Sequence, residues 1–229
     1  SSQSFARGFL DGIFPRFCLR CRKEGEVFCE SCERQYFPRP AEPVCLFCQK
    51  KGTLGRTCQT CSSVTHLDGG FALGYYADPV LRSLVQAWKY HGDAAARNML
   101  FHRVRSTHVL GLLPFHDWTV TEAPLHPARK RERGFDQAEL LAGQVAMRMG
   151  LTHLPLLKRV RWTSPQARRG AKARRIGEMD QCFSVIKQVP EYALLCDDVA
   201  TSAVTLDAAA RELKLAGTKE VWAFTLARA

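Results

Sequence analysis

Residues 194–209 read LLCDDVATSAVTLDAA: an apolar run, two acids, small hydroxyl residues and a helical pattern. We expect residues 192–196 to form a buried strand of a parallel sheet, and residues 203–216 to form the next helix. Ligands bind beyond the carboxyl ends of such strands. The start of the helix suits a phosphate, whereas Asp197 and Asp198 suit sugar hydroxyls or a hydrated Mg²⁺. The pattern favours a phosphorylated sugar over the alternative, a capped helix with solvated acids.

Strands and helices alternate along the chain from residue 69 onward. This alternation predicts an α/β fold with a parallel sheet covered by helices on both faces. The 229 residues, 46% of them hydrophobic, suffice for one sizeable core and a small additional domain. The expected helices are 78–91, 93–112 and 134–150, and the other expected strands are 118–125, 154–158, 182–186 and 220–228.

Four Cys-x-x-Cys pairs precede residue 62, and their members are Cys18, Cys21, Cys29, Cys32, Cys45, Cys48, Cys58 and Cys61. Two such pairs complete a tetrahedral shell of four thiolates, so four pairs predict two structural zinc ions. Sequential pairing is the simplest arrangement, and a cross-braced pairing stays open. A disulfide scaffold is the alternative for a secreted protein, but no signal-peptide pattern is present. We predict a zinc-ribbon domain over residues 1–66, followed by the α/β domain over residues 67–229.

The net charge is +11, from 33 Lys and Arg against 22 Asp and Glu. Two zinc ions with four thiolates each lower it to about +7. A basic protein favours a polyanionic or phosphorylated partner.

Residues 158–175 hold eight Lys or Arg and no acid, together with Trp162, which could stack on a base of single-stranded DNA. Three interpretations of this basic segment stay open: contact with single-stranded DNA, a lid over the active site, or an inert surface. The candidate DNA-binding residues are Arg161, Trp162, Arg168, Arg169, Lys172, Arg174 and Arg175.

The chain also resembles a known family. The segments LVQAWKYHGD (84–93), APLHPARKRERGFDQAELLA (123–142) and TSPQARRGAKARR (163–175), with the cysteine-rich start, look like the ComF family. Residues 197–205 resemble the phosphoribosyl-pyrophosphate (PRPP) signature of type I phosphoribosyltransferases. The resemblance covers nearly the whole chain and implies a phosphoribosyltransferase-type, Rossmann-like domain. It also implies a role in natural transformation, with single-stranded DNA and Mg²⁺-PRPP as ligands.

The resemblance assigns roles to individual residues. It gives ribose binding to Asp197 and Asp198, the candidate catalytic pair. A cradle for the 5-phosphate would comprise Thr201, Ser202, Ala203 and Thr205, and basic pyrophosphate contacts would come from Lys89, Arg129, Arg131 and Arg133. The chain departs from the family pattern at Ala203, where Gly is usual, and at Asp136 and Gly177, where Asn is expected. Because no residue that activates an acceptor is identified, sugar-phosphate binding is better supported than transfer.

Three functions fit these patterns. The first is a ComF-like protein of DNA uptake that binds single-stranded DNA and a PRPP-like ligand. The second is an active Mg²⁺-dependent phosphoribosyltransferase with an unidentified acceptor. The third is a noncatalytic adaptor between a competence helicase and recombination proteins. We expect a cytoplasmic protein without membrane insertion, because no stretch approaches the roughly 20 apolar residues of a membrane helix.

Overall fold

A computed structural model describes residues 17–36, 39–161 and 182–229. The strands are β1 (Gly69–Tyr75), β2 (Trp118–Glu122), β3 (Thr152–His153), β4 (Leu157–Arg159), β5 (Phe183–Val185), β6 (Tyr192–Ala200) and β7 (Glu220–Arg228). The helices are α1 (Glu30–Tyr36), α2 (Gln59–Ser62), α3 (Pro79–His91), α4 (Ala94–Ser106), α5 (Pro127–Arg133), α6 (Gln137–Met149) and α7 (Val204–Leu215), with a 3₁₀ helix at Val109–Leu112.

The main sheet has five parallel strands in the order β1-β7-β6-β2-β3, while β4 and β5 form a separate antiparallel pair. Alternate residues of β6 enter two different hydrophobic cores. Leu194 and Cys196 pack with α3, α4 and α6 on one face. Ala193 and Leu195 pack with α7 and the β4–β5 pair on the other face. The predicted α/β fold with a doubly covered parallel sheet is confirmed.

Acidic caps set the starts of the two helices after β1. Asp78 Oδ1 accepts hydrogen bonds from the backbone N–H groups of Val80 (2.8 Å) and Leu81 (3.0 Å), and Asp93 caps α4 in the same way. Gly92, between the two helices, has φ +61°, a conformation that glycine adopts without strain. The expected helix over 93–112 is in fact divided, because the backbone of Thr107 is extended after α4 ends at Ser106.

The cysteine-rich segment packs against the α/β sheet at two places. Cys18, Phe28 and Cys32 join the core that contains α3 and α4. Leu46 and Phe47 pack against the core on the opposite face of the sheet. Both cysteine clusters therefore share hydrophobic contacts with the sheet rather than standing apart from it.

The connection between the cysteine-rich segment and β1 is fixed by two half-buried acids, Asp207 and Asp68. Asp207 Oδ1 of α7 accepts from the backbone N–H groups of His66 (2.6 Å) and Leu67 (3.2 Å). Asp68 pairs with Lys214 at 2.8 Å, and its carboxylate also accepts from the Val221 N–H at 2.7 Å. These contacts place the start of β1 beside β7.

None of the helices in the part of the chain that the structure describes is long and apolar enough to cross a membrane.

Candidate functional site

Asp197 and Asp198 lie within the last residues of β6, rather than beyond the end of the strand. β6 continues through Asp197 and Asp198 to Ala200, because β7 continues alongside and pairs Ala200 with Arg228. Residues 201–203 then form the connection to α7, which begins at Val204. The acids and the start of α7 consequently lie at the carboxyl end of the sheet, where ligands of such folds bind.

The start of α7 has no side-chain cap. Its N-cap residue, Ala203, makes no side-chain hydrogen bond to the helix. The first N–H groups of a helix have no acceptor within the helix, so those of α7 are suited to an anion. Ala203 itself has φ +55° and ψ 3°, in the left-handed region that favours glycine. Ala203, where the family usually has Gly, therefore carries backbone strain.

Lys89 and Asp198 form an ion pair that joins the end of α3 to the end of β6. The Lys89 ammonium contacts the Asp198 carboxylate, and the two side chains are only 20% and 13% exposed. A half-buried pair of this kind is held more firmly than a surface pair, because less water competes for the charges. The structure thus brings Lys89, predicted for pyrophosphate, together with the acid pair.

Asp197 has an altered acidity. Burial raises the pKa of its carboxyl group, and the neighbouring Asp198 carboxylate raises it further. Lys89 and the backbone N–H of Asp198, 2.8 Å from Asp197 Oδ1, lower it in part, and the resulting pKa is about 7. Asp197 can therefore exchange a proton near neutral pH, whereas an ordinary aspartate is ionised there.

The segments WKYHGD and RGFDQ, far apart in sequence, form one structural unit beside this pair. The rings of Trp88 and Phe135 stack with centroids 6.2 Å apart. Gln137, which is 2% exposed, donates from Nε2 to the Lys89 carbonyl (3.3 Å) and accepts from Arg133 Nη1 (3.1 Å). Gln137 therefore holds the backbone of Lys89 and the guanidinium of Arg133 in one network. Sequence reasoning did not single it out, although it ends the quoted RGFDQ motif.

The basic residues after β2 lie on a short helix. Because α5 spans Pro127–Arg133, residues four apart share a face, which places Arg129 and Arg133 on one side. Arg133 also lies over the Tyr90 ring, 6.0 Å from its centroid. Arg131 falls between them in sequence and is exposed. Gln137 links Arg133 to the backbone of Lys89.

Asp136, the departure from the family's Asn, has a structural role. It is 3% exposed, caps α6 through the Ala138 N–H (3.0 Å), and accepts from the Leu125 N–H (2.8 Å). Burial raises the pKa of its carboxyl group, while these backbone donors lower it in part. Its charge also contributes to the raised pKa of Asp197, so Asp136 does influence the acid pair.

A further acid at the same edge was not identified from the sequence. Glu122 ends β2 opposite Cys196, the residue before the acid pair. Its carboxylate is 2.8 Å from His153 Nε2, and the Glu122 side chain is 6% exposed. An acid at the end of an apolar strand is the signal that could have found it.

The eight cysteines gather into two groups in sequential order. Cys18, Cys21, Cys29 and Cys32 form the first, and Cys45, Cys48, Cys58 and Cys61 the second, with all four sulfurs of each group within 4.8 Å of one another. The nearest contacts recorded between knuckles are 3.6 Å for Cys21–Cys29 and 3.5 Å for Cys48–Cys58. Thiolates about 2.3 Å from a tetrahedral ion lie roughly 3.8 Å apart, so both groups fit zinc.

Backbone amides favour the thiolate form of one or two cysteines in each group, whereas burial and the neighbouring cysteines raise the pKa of Cys32 and Cys61 to about 12. Burial raises the pKa of Cys18, but the N–H groups of Cys21 and Cys29 lower it by more, to about 6. Cys45 reaches a pKa of about 7 for the same reasons. All ten cysteines lie in the described ranges and are free thiols, as a metal site requires and a disulfide scaffold does not. The grouping of the eight sulfurs agrees with sequential rather than cross-braced pairing.

The predicted DNA-binding segment lies mostly outside the described residues. Arg161, at the boundary, is exposed. The other members of the set are Trp162, Arg168, Arg169, Lys172, Arg174 and Arg175, and all of them fall within residues 162–181.

Comparison with known proteins identifies relatives along nearly the whole chain, although no family model matches it. The chain is 28% identical to Competence protein F of Haemophilus influenzae, over 93% of this chain and 96% of that protein. It is 25% identical to Competence protein ComFC of Streptococcus pneumoniae, over 92% and 91% of the two chains. It is 26% identical to Competence protein ComFC of Bacillus subtilis, over 95% and 97%. These similarities, each over more than nine tenths of the chain, support membership of the ComF family.

Proposed function

We propose that this chain serves in DNA uptake during natural competence, and that the carboxyl edge of its sheet binds a PRPP-like ligand. Three relatives, each named a competence protein, support the biological role. The convergence of the acid pair, Lys89 and the uncapped start of α7 is the observation that carries the ligand assignment. Two structural zinc ions would hold the cysteine-rich segment, residues 1–66, against the domain of residues 67–229.

Each part of the site suits a different part of the ligand. The N–H groups at the start of α7, with the hydroxyls of Thr201, Ser202 and Thr205, suit the 5-phosphate. Asp197 and Asp198 suit the ribose hydroxyls, which need acceptors, or water molecules around Mg²⁺. Lys89, and the arginines of α5, would supply positive charge for the pyrophosphate.

Calorimetric titration with Mg²⁺-PRPP tests this proposal. Wild-type protein should bind with micromolar affinity, and Asp198→Asn should weaken binding because it removes a ribose acceptor and breaks the pair with Lys89. Asp117→Asn is the matched control, since Asp117 is exposed and precedes β2 at the opposite edge of the sheet. If neither wild-type protein nor the Ala203→Gly variant binds, the PRPP assignment is wrong.

The proposed contact with single-stranded DNA rests on the net charge of +11 and on the basic segment 158–175. Reversing the charges of Arg168, Arg169, Arg174 and Arg175 should lower affinity and flatten its dependence on salt. Each lost phosphate contact lowers the slope of log K against log salt by about 0.7, so four contacts lower it by up to about 2.8.

A control must change the total charge equally. Four exposed basic residues outside this segment serve the purpose, namely Arg82, Arg105, Lys187 and Lys219. If both quadruple variants lose the same affinity and slope, the effect reflects net charge, and the segment is not the DNA-binding surface.

A second candidate function is phosphoribosyl transfer, and the pKa of Asp197 near 7 is the observation that favours it. In such a reaction the bond between ribose C1 and pyrophosphate breaks while a bond from C1 to the acceptor forms. A carboxylate that titrates near neutral pH is suited to take the acceptor's proton. The test is pyrophosphate release from Mg²⁺-PRPP with a panel of nucleobases or a cell extract. Release that persists in Asp197→Asn would refute the proton-transfer role.

A further inference from the structure

A cavity of about 280 Å³ lies where the second cysteine group meets the loop after β6. It opens beside the turn that we propose for the phosphate, yet most of its wall comes from other parts of the chain. The lining residues that matter here are Leu46, Phe47, Gln49, Thr201, Ser202 and Arg228.

One wall of the cavity belongs to a zinc knuckle. Leu46 and Phe47 are the two residues between Cys45 and Cys48, and Gln49 follows directly. The Gln49 N–H donates to the Cys45 carbonyl at 2.9 Å, which closes the turn, and Gln49 is exposed at its edge. The position of this wall therefore depends on the geometry of the second cysteine group.

The opposite wall contains a buried cation with few partners. Arg228, the last residue of β7, is 7% exposed, and its guanidinium lies over the Tyr75 ring, 4.9 Å from the centroid. Nη2 donates to Tyr75 Oη at a long 3.4 Å, and Nε has no hydrogen-bond partner. No ion pair between Arg228 and a carboxylate is recorded within residues 17–36, 39–161 and 182–229.

Burying the Arg228 guanidinium in this way costs free energy when no anion is bound. A guanidinium removed from water loses its hydration, and one ring contact and one long hydrogen bond replace little of it. A phosphate in the cavity would supply charge and acceptor oxygens to Arg228, and it would lie beside the Thr201 and Ser202 hydroxyls. Arginine is well suited to phosphate because its donors match two oxygens at once.

We propose that this cavity is a phosphate-binding site in which Arg228 supplies the cation and the knuckle Cys45–Gln49 forms the wall. The inference deepens and rests on the proposed function, because it makes the second cysteine group part of the sugar-phosphate site. Arg228 and Gln49 lie outside the PRPP signature. The ligand class is a phosphomonoester, either a sugar 5-phosphate or free inorganic phosphate.

The test is titration with ribose 5-phosphate and with inorganic phosphate, followed by calorimetry. Gln49→Glu adds a negative charge at an exposed rim position, so folding should be preserved, and affinity should fall about 10- to 100-fold. Gln59→Glu is the matched control: it makes the same change in the same cysteine-rich segment, at an exposed position of α2 that does not line the cavity. Arg228→Met should abolish binding, and retained zinc content and an unchanged circular dichroism spectrum would show that it is folded.

The outcomes separate the possible errors. Equal affinity for wild type, Gln49→Glu and Gln59→Glu overturns the cavity proposal, as does an absence of wild-type binding to both phosphates at millimolar concentration. Tighter binding of ribose 5-phosphate than of inorganic phosphate identifies a sugar phosphate as the source. If Gln49→Glu weakens ribose 5-phosphate while Mg²⁺-PRPP binds no better than ribose 5-phosphate, the cavity stands and the PRPP assignment fails. If Asp198→Asn alone weakens Mg²⁺-PRPP, the reverse holds.

Discussion

Replacing Ala203 by glycine tests the strained turn at the start of α7. An L-residue in the left-handed region carries roughly 1–2 kcal/mol of strain, and Ala203 has φ +55°. Glycine removes that strain, but it gains freedom in the unfolded chain and loses a methyl group that is only 5% exposed here. Taken together, these opposing effects predict a change in unfolding free energy close to zero.

A second Ala→Gly variant isolates the strain. Ala208 lies within α7, is half-buried and has ordinary helical surroundings, so Ala208→Gly should cost about 1 kcal/mol. The cost in the unfolded chain is similar for both variants, and the lost methyl group costs only slightly more at the buried Ala203 than at the half-buried Ala208. The difference between them should therefore equal the strain at Ala203, about 1–2 kcal/mol.

Thermal unfolding measures this difference. For a chain of this size, 1 kcal/mol corresponds to about 2–4 °C, so Ala203→Gly should melt about 2–8 °C above Ala208→Gly. Urea denaturation should give the same order with unchanged slope. An equal fall in melting temperature for the two variants would show that Ala203 is not in the left-handed conformation and would refute the reasoning.

Three other predictions concern the acid pair, the metal groups and Gln137. Burial raises the pKa of Asp197 from about 4 to about 7, so ionisation of this carboxyl group increasingly opposes folding as the pH rises from 4 to 7; the melting temperature of Asp197→Asn should therefore rise relative to that of wild type over this range, and a constant difference would contradict the raised pKa. Elemental analysis should find two zinc ions per chain; with sequential groups the double variant Cys32→Ser/Cys61→Ser loses both, whereas cross-braced pairing would leave one. Gln137→Leu leaves the Lys89 carbonyl without its side-chain donor and should lower the unfolding free energy in urea by about 1–3 kcal/mol, while a change below 0.5 kcal/mol would argue against that bond.

Short local patterns in the sequence predicted much of the fold. The apolar run before Asp197 predicted a strand buried on both faces, since its residues are apolar without alternation. The two-residue gaps between cysteines predicted metal knuckles because that spacing alone aims two sulfurs at one ion. The αL strain at Ala203 followed from the comparison of Ala with Gly in the signature.

Features that depend on long-range packing were not predicted. α5 has one alanine among charged residues after Pro127, so no hydrophobic period marks it as a helix. The contact of Lys89 with Asp198 joins residues 109 positions apart. Leu140 belongs to the apolar pattern of α6 but is 37% exposed, because the helix turns Leu141 and Val145 inward instead. Such choices of face depend on where neighbouring elements lie.

The strand order has a consequence for how the protein is made. β7 is the last strand in sequence, yet it lies between β1 and β6, near the middle of the sheet. A nascent chain still lacking residues 220–228 would expose the backbone edges of both β1 and β6, and unpaired edges of this kind invite aggregation. Both cysteine groups are complete at residue 61, so the metal that we propose for them could bind before the chain is finished, whereas the sheet must wait for β7. During translation the cysteine-rich segment would thus bind metal first, and the sheet would be completed last.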